Sequence, residues 1–436
     1  MKGHVEDRWW RKKKVSGKLV YTDSGRPVRE KTGLFGKGDR YKVRYYDPDG
    51  KEKSRSFPDK ELTRAKAFLT KMQHDVLSTE YVDPKAGELP FRAYTREWRK
   101  GQSTDASTRQ TVTSHLDNGI FPFLGDKSLR TVEKTETIRD WLDWMERPKG
   151  EGGRGLAASY RAVLFDMVSA ILEAARVDQK IRSNPCKTKS IKRPKPEQRK
   201  VVPWKDSQVH QLKLALPAPQ KVVVPLGAGL GLRQMEIFGF SPDDVDRDEM
   251  VANVQRQIRW IDNKPVFAPP KGGKTRQVPI GAGVLEEIDA HLDNVEPVSV
   301  TLPWLDPRGR PVTARLLIRR PEGLQRLGAR AASGMISGPE YNLAVWKPAY
   351  AAAGLDYIPR RDGMHGMRHF YASVALASGV SVKELADYLG HHDPGYTLRI
   401  YTHLVPSSHR RAREAADGIF KPRHTGAARL EDPETA

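Results

Sequence analysis

The chain has 436 residues, with 75 Lys and Arg against 54 Asp and Glu and a net charge of +21. That length predicts several domains of roughly 100–200 residues each, and that charge draws polyanions, nucleic acid first. The single cysteine, Cys186, excludes an intrachain disulfide and a multi-cysteine zinc site.

No apolar run approaches the ~20 residues of a membrane span. The N-terminus, MKGHVEDRWWRKKK, lacks the apolar middle of a signal peptide. A soluble, cytoplasmic protein is expected. An anionic membrane surface is the weaker polyanion, because the basic residues are not confined to one amphipathic helix.

Residues 1–60 hold 18 Lys/Arg and 9 Asp/Glu. Within them Tyr41, Val43 and Tyr45 alternate with Lys42 and Arg44, and the chain then turns at Asp47–Gly50. Alternation around an Asp/Gly turn predicts a β-hairpin. An earlier turn at Asp23–Gly25 predicts a second. Leu62, Ala65, Phe68, Leu69, Met72 and Val76 share one stripe, so a helix is expected over Asp59–Leu77. Residues 1–85 are thus expected to form a small basic sheet crossed by one helix, with Arg40, Lys42 and Arg44 as candidate phosphate contacts.

Residues 86–183 follow the helical period in four stretches, beginning RAYTREWRKG, DASTRQ, TETIRD and GLAASY. In the last, Tyr160, Val163, Leu164, Met167, Val168, Ile171, Leu172 and Ala175 recur every three or four residues. An all-α domain is expected. Arg182–Pro203 then carries eight Lys/Arg, one acidic residue and four prolines. Residues 184–203 are expected to be an extended basic linker, unable to pack a core. Lys192, Arg193 and Lys195 are its candidate DNA contacts.

Residues 204–415 form the largest expected domain, mixed but mainly α, followed by a polar tail over 416–436. It opens with helices at Lys205–Leu214 and around Val222–Gly231. Strands are expected at Met250–Arg259, Lys264–Phe267 and Arg276–Ile280. Leu302–Ile318 reads as an inserted hairpin, in an insertion reaching Gly338 and expected to be peripheral. The end is helical from Leu343. The fold class is α+β multidomain.

The glycines of GAGLGLRQMEIFGF form neither a phosphate loop nor a dinucleotide fingerprint. Arg233 and Glu236 would share a helix face. KGGKTRQVPI places Lys271 and Lys274 around two glycines in a β-turn. HGMRHFYASVALASG places His365 and Arg368 one helical turn apart. ELADYLGHHD ends a helix at Gly390, with His391 beyond it and Tyr401 ten residues later. Each of these features alone reads as an ordinary salt bridge, turn or structural histidine.

Their order is specific. Arg233, Lys271, His365-x-x-Arg368, Leu389-Gly390-His391 and Tyr401 together resemble the tyrosine recombinases, the phage integrase family. The resemblance spans Gly227–Leu404. It implies a catalytic domain of the DNA breaking–rejoining type over 204–415. The helical domain resembles, more weakly, the SAM-like core-binding domain of that family, and residues 1–85 resemble its arm-type DNA-binding domain. The three-part layout is similar to lambda-like integrases.

The resemblance implies transesterification without metal or cofactor. Arg233 and Arg368 would hold the phosphate, since two fixed guanidinium forks suit charge building on its oxygens. His365 and His391 would donate to it. Tyr401 would be the nucleophile, with His365 as general base or proton holder. Lys271 would protonate the leaving 5′ oxygen, with Lys274 as the alternative. Glu236 would orient Arg233. The implied partners are double-stranded core and arm attachment sites, a homo-tetramer in the synaptic complex, an excision factor and a host DNA-bending protein.

Two departures stand out. Gly366 occupies the second position of the histidine–arginine box, where a helix former is more usual, and the His391–Tyr401 spacing has one residue more than in some family members. Two other readings compete. A non-catalytic site-specific DNA-binding protein retaining the fold would have lost a catalytic group, and none is lost. A relaxing topoisomerase would not need the basic N-terminal domain.

Overall fold

The computed structural model describes residues 3–77, 82–83, 86–102, 104–196, 201–321, 334–359, 361–401, 413 and 416–417. The chain divides into two compact units, Met1–Gln198 and Arg199–Ala436.

The first unit opens with an antiparallel three-stranded sheet in which Tyr41–Tyr46 lies between His4–Asp7 and Glu52–Phe57. Tyr41, Val43 and Tyr45 all point to one face and are buried. The helix Leu62–Leu77 covers that face with Ala65, Phe68, Leu69 and Met72. The period of two in the strand and of three to four in the helix therefore meet in one small core. The earlier turn is present as Gly25 N–H donating to Thr22 O, beside a Tyr21–Pro27 bridge.

The four expected helices are Phe91–Lys100, Ala106–His115, Thr135–Glu146 and Ala158–Val177. Trp141, Leu164, Val168 and Leu172 are fully buried between them. Two short helices, Phe121–Leu124 and Leu129–Val132, were not anticipated, because four residues are too few to show a period.

The extended-linker expectation is wrong for its first half. Asn184–Ile191 folds back on the helical core, burying Pro185, Cys186 and Ile191. Asn184 Nδ2 donates to Ser169 O at 2.9 Å, and a 3-10 turn spans Pro185–Lys187. The tally of lysines and prolines hid three spaced apolar residues that pack inward while the cations face out. Burial pushes the Cys186 thiol up to about 12, so it is an inert packing group.

In the second unit a single strand was expected over Met250–Arg259, and two are found. Val251–Val254 pairs with Arg276–Pro279 and Val245–Asp246, while Gln257–Ile261 pairs with Lys264–Ala268. The break falls at Arg256, whose guanidinium turns onto buried Asp244 at 2.8 Å. The hairpin is real, with Val298–Pro303 against Pro311–Leu316. It is not peripheral: Leu302, Leu316, Leu317 and Ile318 belong to the main core. The rest of that insertion, 322–333, lies outside the described residues.

The helix Ala282–Asn294 was also missed; its Ile288 is buried in the same core. The region around Val222–Gly231 is a short π-helical turn at Pro225–Gly229. The C-terminal helices are Lys347–Ala352, His365–Ala377, Val382–Leu389 and Pro394–Tyr401. Among the described residues no helix is long and apolar enough to cross a membrane.

Candidate active site

One cleft of about 730 Å³ in the second unit is lined by Arg233, Lys271, His365, Arg368, His391 and Tyr401. These are the six side chains assigned to chemistry from the sequence, drawn from four helices or their ends and one turn.

The helix Val382–Leu389 organises the cleft through its C-terminus. Ser381 and Glu384 cap its start reciprocally, and Gly390 ends it in the left-handed region at φ +61°. Its last carbonyls lack partners within the helix and carry partial negative charge. Three successive ones each accept from a different arginine. Arg276 Nε donates to Tyr388 O at 2.7 Å, Arg368 donates to Leu389 O, and Arg233 donates to Gly390 O at 3.1 Å. The Leu389-Gly390-His391 box is therefore a carbonyl clamp as well as a histidine carrier.

Beneath the arginines lies Glu236, fully buried. It accepts from Arg233 at 2.9 Å and from Arg276 at 3.0 and 2.6 Å. Burial alone would raise this carboxyl, but Arg276 and Arg233 outweigh burial and hold it at about 2. Glu236 thus orients two arginines, where one was expected. Arg276 was missed in the sequence. The available signal was a charge two residues before buried Val278, on the same face of a strand.

Arg368 is almost fully buried and also donates to Gly231 O at 2.7 Å. Burial, then Arg233, lowers it to about 9, still a cation at neutral pH. One of its nitrogens lies 3.1 Å from His391 Nε2. A guanidinium only donates, so Nε2 accepts. The imidazole proton then sits on Nδ1 and points to Thr397 Oγ1 at 2.6 Å.

Gly366 has a packing reason. A Cβ there would lie 2.3 Å from the Trp204 indole. That indole stacks near Trp346 and donates to buried Asp362. The missing side chain lets the start of the box helix His365–Ala377 rest on this cluster.

Tyr401, on the helix Pro394–Tyr401, is buried and lines the cleft. Burial pushes the phenol up to about 12. Its hydrogen-bond partner is His369 Nδ1 at 2.7 Å. His365 was expected in that place. Instead its ring stands edge-on to His369, 4.7 Å between centroids. His365 and His369 are four apart and share a helix face, but that spacing does not tie His369 to Tyr401. Burial lowers His365 to about 3 and both His369 and His391 to about 4, so all three are neutral at pH 7.

Lys271 is exposed on the turn where Gly273 N–H donates to Pro270 O, and it lines the cleft; Lys274 does not. The expected DNA contacts of the first unit are less free. Arg40 is held by Asp7 and Asp59, Arg44 by Glu6 and Glu52, and Arg193 by Asp166. Lys42 is half-buried, and Lys192 and Lys195 are exposed. Among the described residues no group of His, Cys, Asp and Glu is arranged to hold a metal ion.

Residues 207–407 match the phage integrase family. The chain carries a phage integrase family domain. The prophage phiRv2 integrase of Mycobacterium tuberculosis is 25% identical over 402 residues, covering 89% of this chain and 96% of that one. A XerC-like tyrosine recombinase of Caldanaerobacter subterraneus is 26% identical over 260 residues, 55% of this chain and 61% of that one. Among solved structures, the Tn1549 transposon integrase with transposon right end DNA superposes at a TM-score of 0.60 with 18% identity, covering 75% of this chain and 99% of that one. The lambda integrase tetramer on a Holliday junction gives 0.50 at 14% identity, covering 88% and 97%. The integrase domain is thus an α+β fold of the lambda-integrase kind, and its family reaction is site-specific recombination of DNA by strand cleavage and rejoining.

Proposed function

We propose that this integrase joins and releases a mobile element at attachment sites through a 3′-phosphotyrosine link, with the six cleft residues as its machinery. The observation carrying this reading is the convergence of Arg233, Lys271, His365, Arg368, His391 and Tyr401 on one cleft.

Arg233, Lys271, Arg368 and Arg399 line the cleft against one lining carboxylate, Asp393, while Arg276 and Glu236 pair beneath it. The cleft is short of negative charge, and a phosphodiester supplies it. Arg233 and Arg368 bind the nonbridging oxygens, whose charge grows as the phosphorus becomes five-coordinate. His365 donates to the same oxygens, and His391, whose Nε2 accepts from Arg368, holds that guanidinium toward them. Tyr401 Oη attacks phosphorus, the bond to the 5′ oxygen breaks, and Lys271 protonates that oxygen. The linkage conserves the bond energy, so a second strand's 5′ hydroxyl reverses the step.

Residues 1–85 serve as the arm-type DNA-binding domain and 86–183 as the core-binding domain. Four protomers hold two duplexes in the synaptic complex, with an excision factor and a host DNA-bending protein setting direction and DNA path. The protein works on the bacterial nucleoid. Support for the layout comes from the relative that matches along nearly its whole length and from the tetrameric assembly of lambda integrase. The segment after Tyr401, with the polar tail 416–436, lies outside the described residues apart from 413, 416 and 417.

Incubating the protein with a suicide attachment-site duplex tests the reading. Wild type gives a denaturant-resistant protein–DNA adduct and Tyr401→Phe gives none. Absence from wild type, or equal amounts from both, overturns it.

A further inference from the structure

We propose that His369 takes the phenolic proton of Tyr401 during strand cleavage and returns it on rejoining. This rests on the recombinase reading above and adds to it a residue and a proton path.

The geometry is direct. His369 Nδ1 lies 2.7 Å from Tyr401 Oη, within the range a general base requires. The rings meet edge-on, 5.7 Å between centroids. His369 is a turn further along the box helix than His365 and stands between it and the phenol. His365 is thereby left for the phosphate side of the cleft. Because His369 is buried, its imidazole is neutral at pH 7 and has a lone pair to accept a proton.

A phenol pushed to about 12 does not lose its proton to such an imidazole beforehand. It does so as the Oη–P bond forms, when the phenolic proton becomes acidic; transfer and attack belong to one step. The balance is complete without an outside reactant. Oη–P forms while P–O5′ breaks, the Oη proton moves to Nδ1, and O5′ takes a proton from Lys271. In the reverse step the incoming 5′ hydroxyl returns a proton to Lys271 and the imidazolium returns one to Oη. The entering phosphate offsets the transient positive charge on His369. Around that charge stand His365 and Arg368 on the same helix, Tyr401 on Pro394–Tyr401, His391 beyond Val382–Leu389, and Arg233 ahead of Gln234–Phe238.

The test is single-turnover cleavage by the full-length protein of a suicide duplex copied from the element's own attachment junction, followed across pH. His369→Asn keeps a polar atom near the Nδ1 position and can still bond the phenol, but it cannot take a proton. His369→Ala removes both. Both variants are expected to bind the duplex as wild type does and to cleave about 10²–10⁴-fold more slowly. His369→Asn should also lose the acid limb of the pH–rate profile. A duplex with sulfur in place of the bridging 5′ oxygen needs no proton on its leaving group. It should rescue Lys271→Ala and leave His369→Asn slow.

Wild-type rate and pH profile in His369→Asn would show that the bond only positions the phenol. Faster cleavage by His369→Ala would show that it restrains the phenol. Rescue of His369→Asn by sulfur would place His369 on the leaving-group side. Each of these overturns the proposal while leaving the recombinase reading intact. An adduct missing from wild type, or present in Tyr401→Phe, sinks both.

Discussion

Neutral histidines beside arginines are the feature of the cleft with the most consequences. In the folded chain His365, His369 and His391 sit at about 3, 4 and 4. In the unfolded chain each returns to about 6.5. Between those values the unfolded state binds more protons, so stability rises with pH across this window. Chemical denaturation of the DNA-free protein should show the second unit losing stability as pH falls from about 7 toward 5, with no contribution from these groups above neutrality. A flat profile would mean the three imidazoles are solvated. Two of them were legible in the sequence through the order of the boxes. His369 was not, because a histidine directly after Arg368 looks like any helical residue until Tyr401, 32 positions on, is folded against it.

At the level of elements, the helix end at Tyr388–Gly390 and the buried Glu236 form one clamp for three arginines. Removing the carboxylate leaves Arg276, only 7% exposed, beside Arg233 without a counter-charge. Breaking a buried pair in this way costs about 3–5 kcal/mol. Glu236→Ala should therefore unfold at markedly lower denaturant, and not merely cleave slowly. Gly366→Ala tests the packing of the box helix. The added methyl meets a rigid indole, and such overpacking costs about 1–3 kcal/mol. A variant as stable as wild type would show that Trp204 moves freely. Periodic elements were readable, as Tyr41, Val43 and Tyr45 illustrate. Those decided by distant partners were not. Pro185, Cys186 and Ile191 are buried because the long helix Ala158–Val177 offers them a surface, and the hairpin Val298–Leu316 is central because core residues lie under it. No local pattern announces either.

For the whole molecule, charge and modules set the expectations. A net charge of +21 implies DNA binding through released counterions, so affinity should fall steeply and log-linearly with salt. Ion pairs already satisfy Arg40, Arg44 and Arg193, so exposed lysines such as Lys192 and Lys195 should carry more of that slope. Replacing Lys192 and Lys195 with Gln should flatten the salt dependence, and replacing Arg44 should do so less. Deleting residues 1–85 should weaken binding to arm sites and lower integration while core-site cleavage survives. Full recombination by the truncated protein would contradict the arm assignment.

Peptide mapping of the trapped covalent complex decides whether Tyr401 is the nucleophile. The expected product is a nucleotide joined through its 3′ phosphate to the peptide containing Tyr401, with a free 5′ hydroxyl on the other strand end. A link to any other residue, or through a 5′ phosphate, would contradict it.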